Sequence, residues 1–301
     1  MEEREREIWR FFPARLRQRL GNLEAQMTQL QEIRLRVGRP ISVRICGREV
    51  VLEEESVVSR EDIRDFVESV SRHSLYAHEE EIRQGFFTIA GGHRIGIAGK
   101  AVTENGTLRT IKYISSVNIR LAHQIRGCAK TLVPQLFEEG ELCNTLILSP
   151  PCGGKTTLLR DCIRILSEGG LNLGVVDERS EIAACYQGVM QNDLGPRTDV
   201  LDCCPKAVGM MMLIRTMAPQ VVAVDEIGGE DDRKALESVM KCGCRILATA
   251  HAASVSDMKQ KPFFRFFVEN QMFGRYLVLK SGGQAGRVEG IYDASGRRLA
   301  G

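Results

Sequence analysis

Thr145-Leu146-Ile147-Leu148-Ser149-Pro150-Pro151-Cys152-Gly153-Gly154-Lys155-Thr156-Thr157-Leu158-Leu159-Arg160-Asp161 runs from an apolar strand through a Gly/Pro turn into a Lys-Thr pair and a helix. This is the layout of a nucleoside triphosphate P-loop. Backbone N–H groups of the turn and of the helix N-terminus converge on phosphate, Lys155 reaches the β and γ phosphates, and the Thr156 hydroxyl is placed for Mg²⁺. Pro151, Cys152, Gly153, Gly154, Lys155, Thr156 and Thr157 are the expected nucleotide cradle. The pattern G-x-x-x-x-G-K-[ST] wants glycine where Ser149 stands, and its G-P-P-G-x-G-K-T form wants another at Cys152. Glycine is favoured there because it adopts positive φ and admits close backbone approach, so both replacements must tolerate that geometry or change it. Gly153 offers freedom one residue later.

Downstream, Pro219-Gln220-Val221-Val222-Ala223-Val224-Asp225-Glu226 is an apolar strand ending in Asp-Glu, as a Walker B motif requires. Asp225 is expected in the Mg²⁺ shell and Glu226 as the group that polarises the attacking water. A second acidic cluster, Asp177-Glu178-Arg179-Ser180-Glu181, also closes an apolar strand. It reads either as a solvated helix start or as groups that contact the metal's water network or a neighbouring subunit's nucleotide. The strand Arg245 to Ala250 ends in His251, where Thr249 and His251 are placed to sense the γ phosphate. Arg197, Arg215 and Arg233 are candidates for charge stabilisation, Arg215 foremost.

These motifs sit in a region of strands (Thr145–Leu148, Leu173–Val176, Gln220–Val224, Arg245–Thr249) alternating with helical patterns (Thr156–Ser167, Glu181–Gln187, Lys206–Met217, Asp231–Lys241). Such alternation predicts a parallel sheet covered on both faces, with ligands at the C-terminal strand ends. Residues 1–127 read differently. An amphipathic helix is expected from Glu7 to Leu30 with a break near Pro13, then strands across Glu32–Ile45, a capped helix from Ser59 to Val70 and a second helix over Tyr76–Gln84. A Gly-rich hairpin over Phe86–Ala101 and a strand at Ser115–Ala122 complete this part. Two domains follow, an α+β one over 1–127 and an α/β one over 128–301 that closes with a hairpin of Arg275–Leu279 and Arg287–Tyr292. Met210, Met211, Met212 and Met217 read as core, and so do most rings of Phe263-Phe264-Arg265-Phe266-Phe267.

The chain has 301 residues, 43% hydrophobic and 27% charged, with a formal net charge of +2. This gives no sign of a nucleic-acid-coating surface. No apolar run approaches the roughly 20 residues of a membrane span, and the charged start is unlike a signal peptide, so a cytoplasmic protein is expected. The ten cysteines form no C-x-x-C pair and read as buried free thiols. Cys152, at a helix N-terminus beside Lys155, is the exception, expected to have a lowered pKa and to be open to oxidation.

Together, Asp177-Glu178-Arg179-Ser180-Glu181, Asp199 to Asp202 with Pro205-Lys206, the Met-rich helix into Arg215 to Pro219, and Asp225-Glu226-Ile227-Gly228 resemble the stage III sporulation protein AA family. The likeness extends to Glu32 to Arg36 with Arg39-Pro40, to Gly91 to Arg94 and to Val288 to Tyr292. The resemblance implies an α/β fold with a P-loop NTPase core of the RecA/AAA kind behind a smaller α+β N-terminal domain, related to hexameric secretion and pilus-retraction ATPases. It implies ATP and Mg²⁺ as cofactors, Glu226 as catalytic acid, Asp177 to Glu181 as an acidic box with Glu178 and Arg179 at the site, and His251 as a histidine box. Arg94, Arg109 and Arg120 are the implied arginines from the N-terminal domain. The implied partners are a hexameric ring of itself and integral membrane proteins of the stage III sporulation A complex, in the mother cell and peripheral at the septal membrane.

The leading reading is an ATP-hydrolysing motor. An ATP-binding assembly scaffold with little turnover is the alternative. A nucleic-acid-stimulated ATPase is a third, opposed by Glu32, Glu49 and Glu53 to Glu55 interrupting the Arg-rich strands.

Overall fold

The computed structural model describes residues 8–26, 29–52, 57–71, 86–104, 106–151, 153–280 and 286–299. The expected helix over Tyr76–Gln84 and the Cys152 thiol lie outside them. The chain divides into two compact units, Met1–His123 with Ala184–Gln191, and Gln124–Ala183 with Asn192–Gly301.

In the first unit, helix α1 (Ala14–Leu20) starts at Pro13, whose fixed φ and missing N–H suit a helix start. Strands β1 (Leu30–Arg36), β2 (Ser42–Ile45), β3 (Arg48–Val51), β4 (Phe86–Thr88), β5 (Arg94–Glu104) and β6 (Thr107–Arg120) form one sheet in the order β3-β2-β1-β6-β5-β4. Its neighbours are all antiparallel. Helix α2 (Arg60–Val70) begins with a capping box: Ser59 accepts from the Asp62 N–H and the Asp62 carboxylate accepts from the Ser59 N–H. Alternation along the strands sends Ile33, Leu35, Ile95, Val117 and Ile119 into one core with Phe12, Leu16, Leu20 and Phe66.

In the second unit, β7 (Phe137–Glu138) and β8 (Glu141–Leu142) make a small hairpin. The main sheet contains β9 (Thr145–Ser149), β10 (Leu173–Asp177), β11 (Thr198–Asp202), β12 (Val221–Val224), β13 (Arg245–His251), β14 (Arg275–Leu279) and β15 (Val288–Asp293), ordered β11-β10-β12-β13-β9-β14-β15. Every pair is parallel except β14–β15. Helices α3 (Lys155–Glu168), α4 (Lys206–Thr216), α5 (Glu230–Lys241), α6 (Val255–Gln260) and α7 (Pro262–Glu269) complete it. Leu146, Leu148, Val176, Val222, Val224 and Ile246 share a core with Met210, Leu213, Leu236, Val239, Phe264 and Phe267. The alternate residues Ile147, Val175, Ala223 and Leu247 are equally buried, which the twofold period of a strand assigns to the opposite face.

Four expectations need correction. The N-terminal helix does not run to Leu30: it ends at Leu20, a 3-10 helix covers Gly21–Gln26, and β1 already begins at Leu30. Glu181–Gln187 is not a helix. Ser180, Ala184 and Gln187 adopt positive φ there, and Asp177 binds the N–H groups of Glu181, Ile182 and Ala183, so a side chain replaces the first helical turn. The methionines of the 210–217 stretch are not simply core, because of these only Met210 is buried while Met212 and Met217 are 46% and 47% exposed. Nor are the cysteines mostly buried: the nine described ones are free, and Cys46, Cys203 and Cys242 are exposed.

Candidate functional site

The parallel register aligns His251 of β13 with Ser149 of β9, and β12 lies directly beside β13. The loop that follows Ser149, the Asp225-Glu226 pair and His251 therefore meet at one C-terminal sheet edge, although about a hundred positions separate the first from the last.

Two glycines shape the loop for different reasons. Gly154 caps α3 at φ 86°, a left-handed conformation. Gly153 is constrained by space. Ser149 Oγ donates to the Pro150 carbonyl at 2.8 Å, and a Cβ on Gly153 would lie 1.8 Å from that Oγ. The serine that replaces the first P-loop glycine is thus fully buried and fills the room that a side chain at Gly153 would need.

Lys155, buried in the first turn of α3, donates to His251 Nδ1 at 3.2 Å. That leaves the His251 Nε2–H to donate to Glu226 Oε1 at 2.8 Å. The second Glu226 oxygen pairs with Arg179 at 3.2 Å. Thr156 Oγ1 donates to Asp225 Oδ2 at 2.6 Å, and Asp225 Oδ1 accepts from the Thr249 hydroxyl. Glu226 adopts φ 51°, and its N–H donates to Thr249 Oγ1 at 2.8 Å. Such a backbone is strained for a side-chain-bearing residue and persists only when neighbours hold it.

The remaining predicted residues fall elsewhere or take other roles. Asp177 ends β10 as expected, but its carboxylate turns inward and is spent on three backbone N–H groups at 2.7 to 2.9 Å. Burial, with Asp202 nearby, pushes it up to about 6 against the pull of those bonds. It therefore shapes the loop beneath Glu178 and Arg179. Glu178 pairs with Lys206 at the start of α4. Arg215 lies at the other end of α4, just before β12 begins. It is therefore at the sheet edge opposite the P-loop, because a helix returning between parallel strands runs antiparallel to them. Arg197 precedes β11 at that same far edge and reaches Asn172, and Arg233 is held by Glu230, Glu237 and the Phe266 ring. Arg94, Arg109 and Arg120 belong to the first unit, where Arg94 lies over Phe86, Arg109 pairs with Glu104 and Arg120 with Glu32. Pro151, Gly153, Gly154, Lys155, Thr156 and Thr157 stand at the β9–α3 junction as read.

Lys206 escaped the sequence reading. Its signal was a cation in the first turn of a helix, where the dipole disfavours one unless an acid is near.

The donor set fits Mg²⁺, which takes oxygen ligands: the Thr156 hydroxyl and the Asp225 carboxylate already converge. Lys155 and the N–H groups that open α3 suit phosphate. Among the described residues no group of three or more His, Cys, Asp or Glu is arranged to hold a metal ion by itself, and no helix is long and apolar enough to cross a membrane.

The family "Sporulation stage III, protein AA" matches residues 2–299. Stage III sporulation protein AA of Bacillus subtilis (strain 168) is 42% identical over 300 residues, covering 98% of this chain and 97% of that protein. Among solved structures, the Legionella pneumophila ATPase DotB superposes with a TM-score of 0.59 at 15% identity, over 89% of this chain and 76% of its own. The pilus retraction motor PilT with bound ADP gives 0.60 at 15% identity, over 91% and 80%. These two likenesses establish the fold, an α/β arrangement around a large, mostly parallel sheet.

Proposed function

The chain belongs to the sporulation stage III protein AA family, and from that premise we propose that it is an ATP-hydrolysing motor of the secretion-ATPase type. The observation that carries this reading is the 2.6 Å contact between Thr156 of the loop and Asp225 at the end of β12. The two magnesium-binding positions of a P-loop NTPase meet there, with Glu226 one residue on.

In this reading Thr156 and Asp225 would be the residues that hold Mg²⁺. When bound, Mg²⁺ neutralises phosphate charge and orients the γ phosphate. Lys155 leaves His251 to meet the β and γ phosphates, an exchange of a neutral acceptor for an anionic one that favours the latter. Glu226 accepts the proton of the attacking water. His251 holds one Glu226 oxygen in place and registers whether Lys155 is engaged, because it contacts both. Arg179 holds the other oxygen. We further propose a hexameric ring in the mother cell, working with integral membrane proteins of the stage III sporulation A complex at the septal membrane.

A scaffold that binds ATP with little turnover is the second reading. It is favoured by the engagement of both Glu226 oxygens and by the serine at position 149. Phosphate release from MgATP, followed across protein concentration with particle size, separates the two. The motor reading expects turnover that rises with assembly, falls about 10²–10⁴-fold in Glu226→Gln and is abolished with nucleotide binding in Lys155→Ala. Tight ATP binding with no release at any concentration would establish the scaffold instead.

A further inference from the structure

The first unit carries a groove of about 770 Å³ that no step above uses. Its walls are α2 and the middle of β6. Ile63 and Val67 of α2 face it together with Val37, Ile111 and Ile114, and these five side chains also pack on the unit's core. The groove is therefore apolar at its floor and backed by rigid structure.

The rim is built by a bulge. Ala98 pairs with Ser116 and Lys100 with Lys112, so Tyr113, Ile114 and Ser115 all stand opposite the single residue Gly99. A Cβ on Gly99 would lie 2.7 to 2.8 Å from backbone atoms of Lys112, Tyr113 and Ile114, so this glycine is what lets the bulge close against β5. Tyr113 adopts φ 50° at its crest, and its ring is 81% exposed. A strained residue that presents an aromatic ring to solvent beside an apolar groove has the composition of a binding rim.

The charge around it is uneven. Among the described residues, Arg60, Arg64 and Lys112 line the groove with one acid, Glu68. Arg64 is paired with Asp65 and Glu68, whereas Arg60 and Lys112 form no ion pair among the described residues. We propose that this groove docks an amphipathic helix of a separate protein, with an apolar row seated over Ile63, Val67, Ile111 and Ile114 and acidic residues on its flank facing Arg60 and Lys112. A concave site backed by a helix and a strand suits the i, i+3, i+4, i+7 side chains of a helix better than a flat lipid surface.

The test is fluorescence anisotropy of the full chain with a labelled five-turn peptide, leucines at three- and four-residue spacing and glutamates on both flanks, beside the same peptide carrying lysines instead. The glutamate peptide is expected to bind about tenfold or more tightly than the lysine peptide, to weaken by about tenfold in Arg60→Glu/Lys112→Glu and by about threefold in Tyr113→Ser. The urea midpoint of Trp9 fluorescence, which reports the first unit's core, should be unchanged in each variant and shows that this unit still folds. Equal affinity for both peptides, no binding of the glutamate peptide, or undiminished binding by the double variant overturns the proposal. Saturable binding to phosphatidylglycerol vesicles with none to the peptide reassigns the groove to a membrane. Self-association abolished by the same variants reassigns it to a second copy of the chain.

Discussion

Ser149 and Gly153 are a coupled pair. Alanine at Gly153 meets no φ barrier; its Cβ would meet the Ser149 hydroxyl at 1.8 Å, and less severely the Ser149 Cβ at 3.1 Å and the Pro150 carbonyl at 3.3 Å, so Gly153→Ala should weaken binding of a fluorescent ATP analogue by about tenfold or more. Ser149→Gly in the same chain removes the two nearest obstructing atoms, leaving only the Pro150 carbonyl at 3.3 Å, and should restore most of the affinity. Failure of that rescue would show that Gly153 acts through backbone freedom instead. Asp177 makes a second prediction, about pH. Its native pKa is raised to about 6 from 3.8, so between those values the folded chain holds a proton that the unfolded chain releases. The linked stability is fully present below about pH 4 and is lost as pH rises through 6, on the order of 2–3 kcal/mol. Urea unfolding followed from pH 4 to 7 should show this fall in the native chain and a flatter profile in Asp177→Asn. The residue types at these positions were legible in sequence, but their roles were not entirely so. An Asp at the end of a strand reads as a site carboxylate until the backbone N–H groups of Glu181 to Ala183 claim it.

At the scale of elements, strands and helices with strong periodicity emerge where their pattern places them. The Ser59 cap, the α3 helix behind the P-loop and the alternating apolar strands of the second unit all need only neighbours in sequence. The segment after Asp177 departs from its helical pattern because capping by one buried carboxylate outweighs the weak helix preference of a short segment. The β5–β6 bulge departs from simple pairing for a reason visible only across strands, the absence of a Cβ at Gly99. Alanine there should cost the first unit about 1–3 kcal/mol. Trp9, the chain's single tryptophan, lies in that unit's core, so its fluorescence in urea measures the loss directly. An unshifted midpoint would mean that the bulge opens without penalty.

For the whole molecule, two separate cores predict two unfolding transitions, one reported by Trp9 fluorescence and both by far-ultraviolet circular dichroism. If the proposed function holds, MgATP at a hundred times its dissociation constant should stabilise the second unit by about 2.7 kcal/mol. The dichroism transition then moves while the Trp9 transition stays, and Lys155→Ala removes the shift. Coincident movement of both signals would show that the units unfold as one. The chain's division also shows the limit of linear reading. A boundary near residue 127 follows from the change in pattern, whereas Ala184–Gln191 belongs to the first unit through contacts between distant positions, among them the Gly91 N–H donating to the Gln191 side chain a hundred positions away. By itself the sequence determined the strand-loop-helix around Lys155, the Asp225-Glu226 strand end, the alternating α/β order and the family, because those depend on local spacing and residue chemistry. Only the tertiary structure decided that Lys155, His251 and Glu226 form one chain of contacts, that Asp177 turns inward, that Arg215 lies at the wrong edge and that Ser149 dictates Gly153. Each of those depends on strand register and on which groups compete for the same buried space, and neither is written in any one stretch of residues.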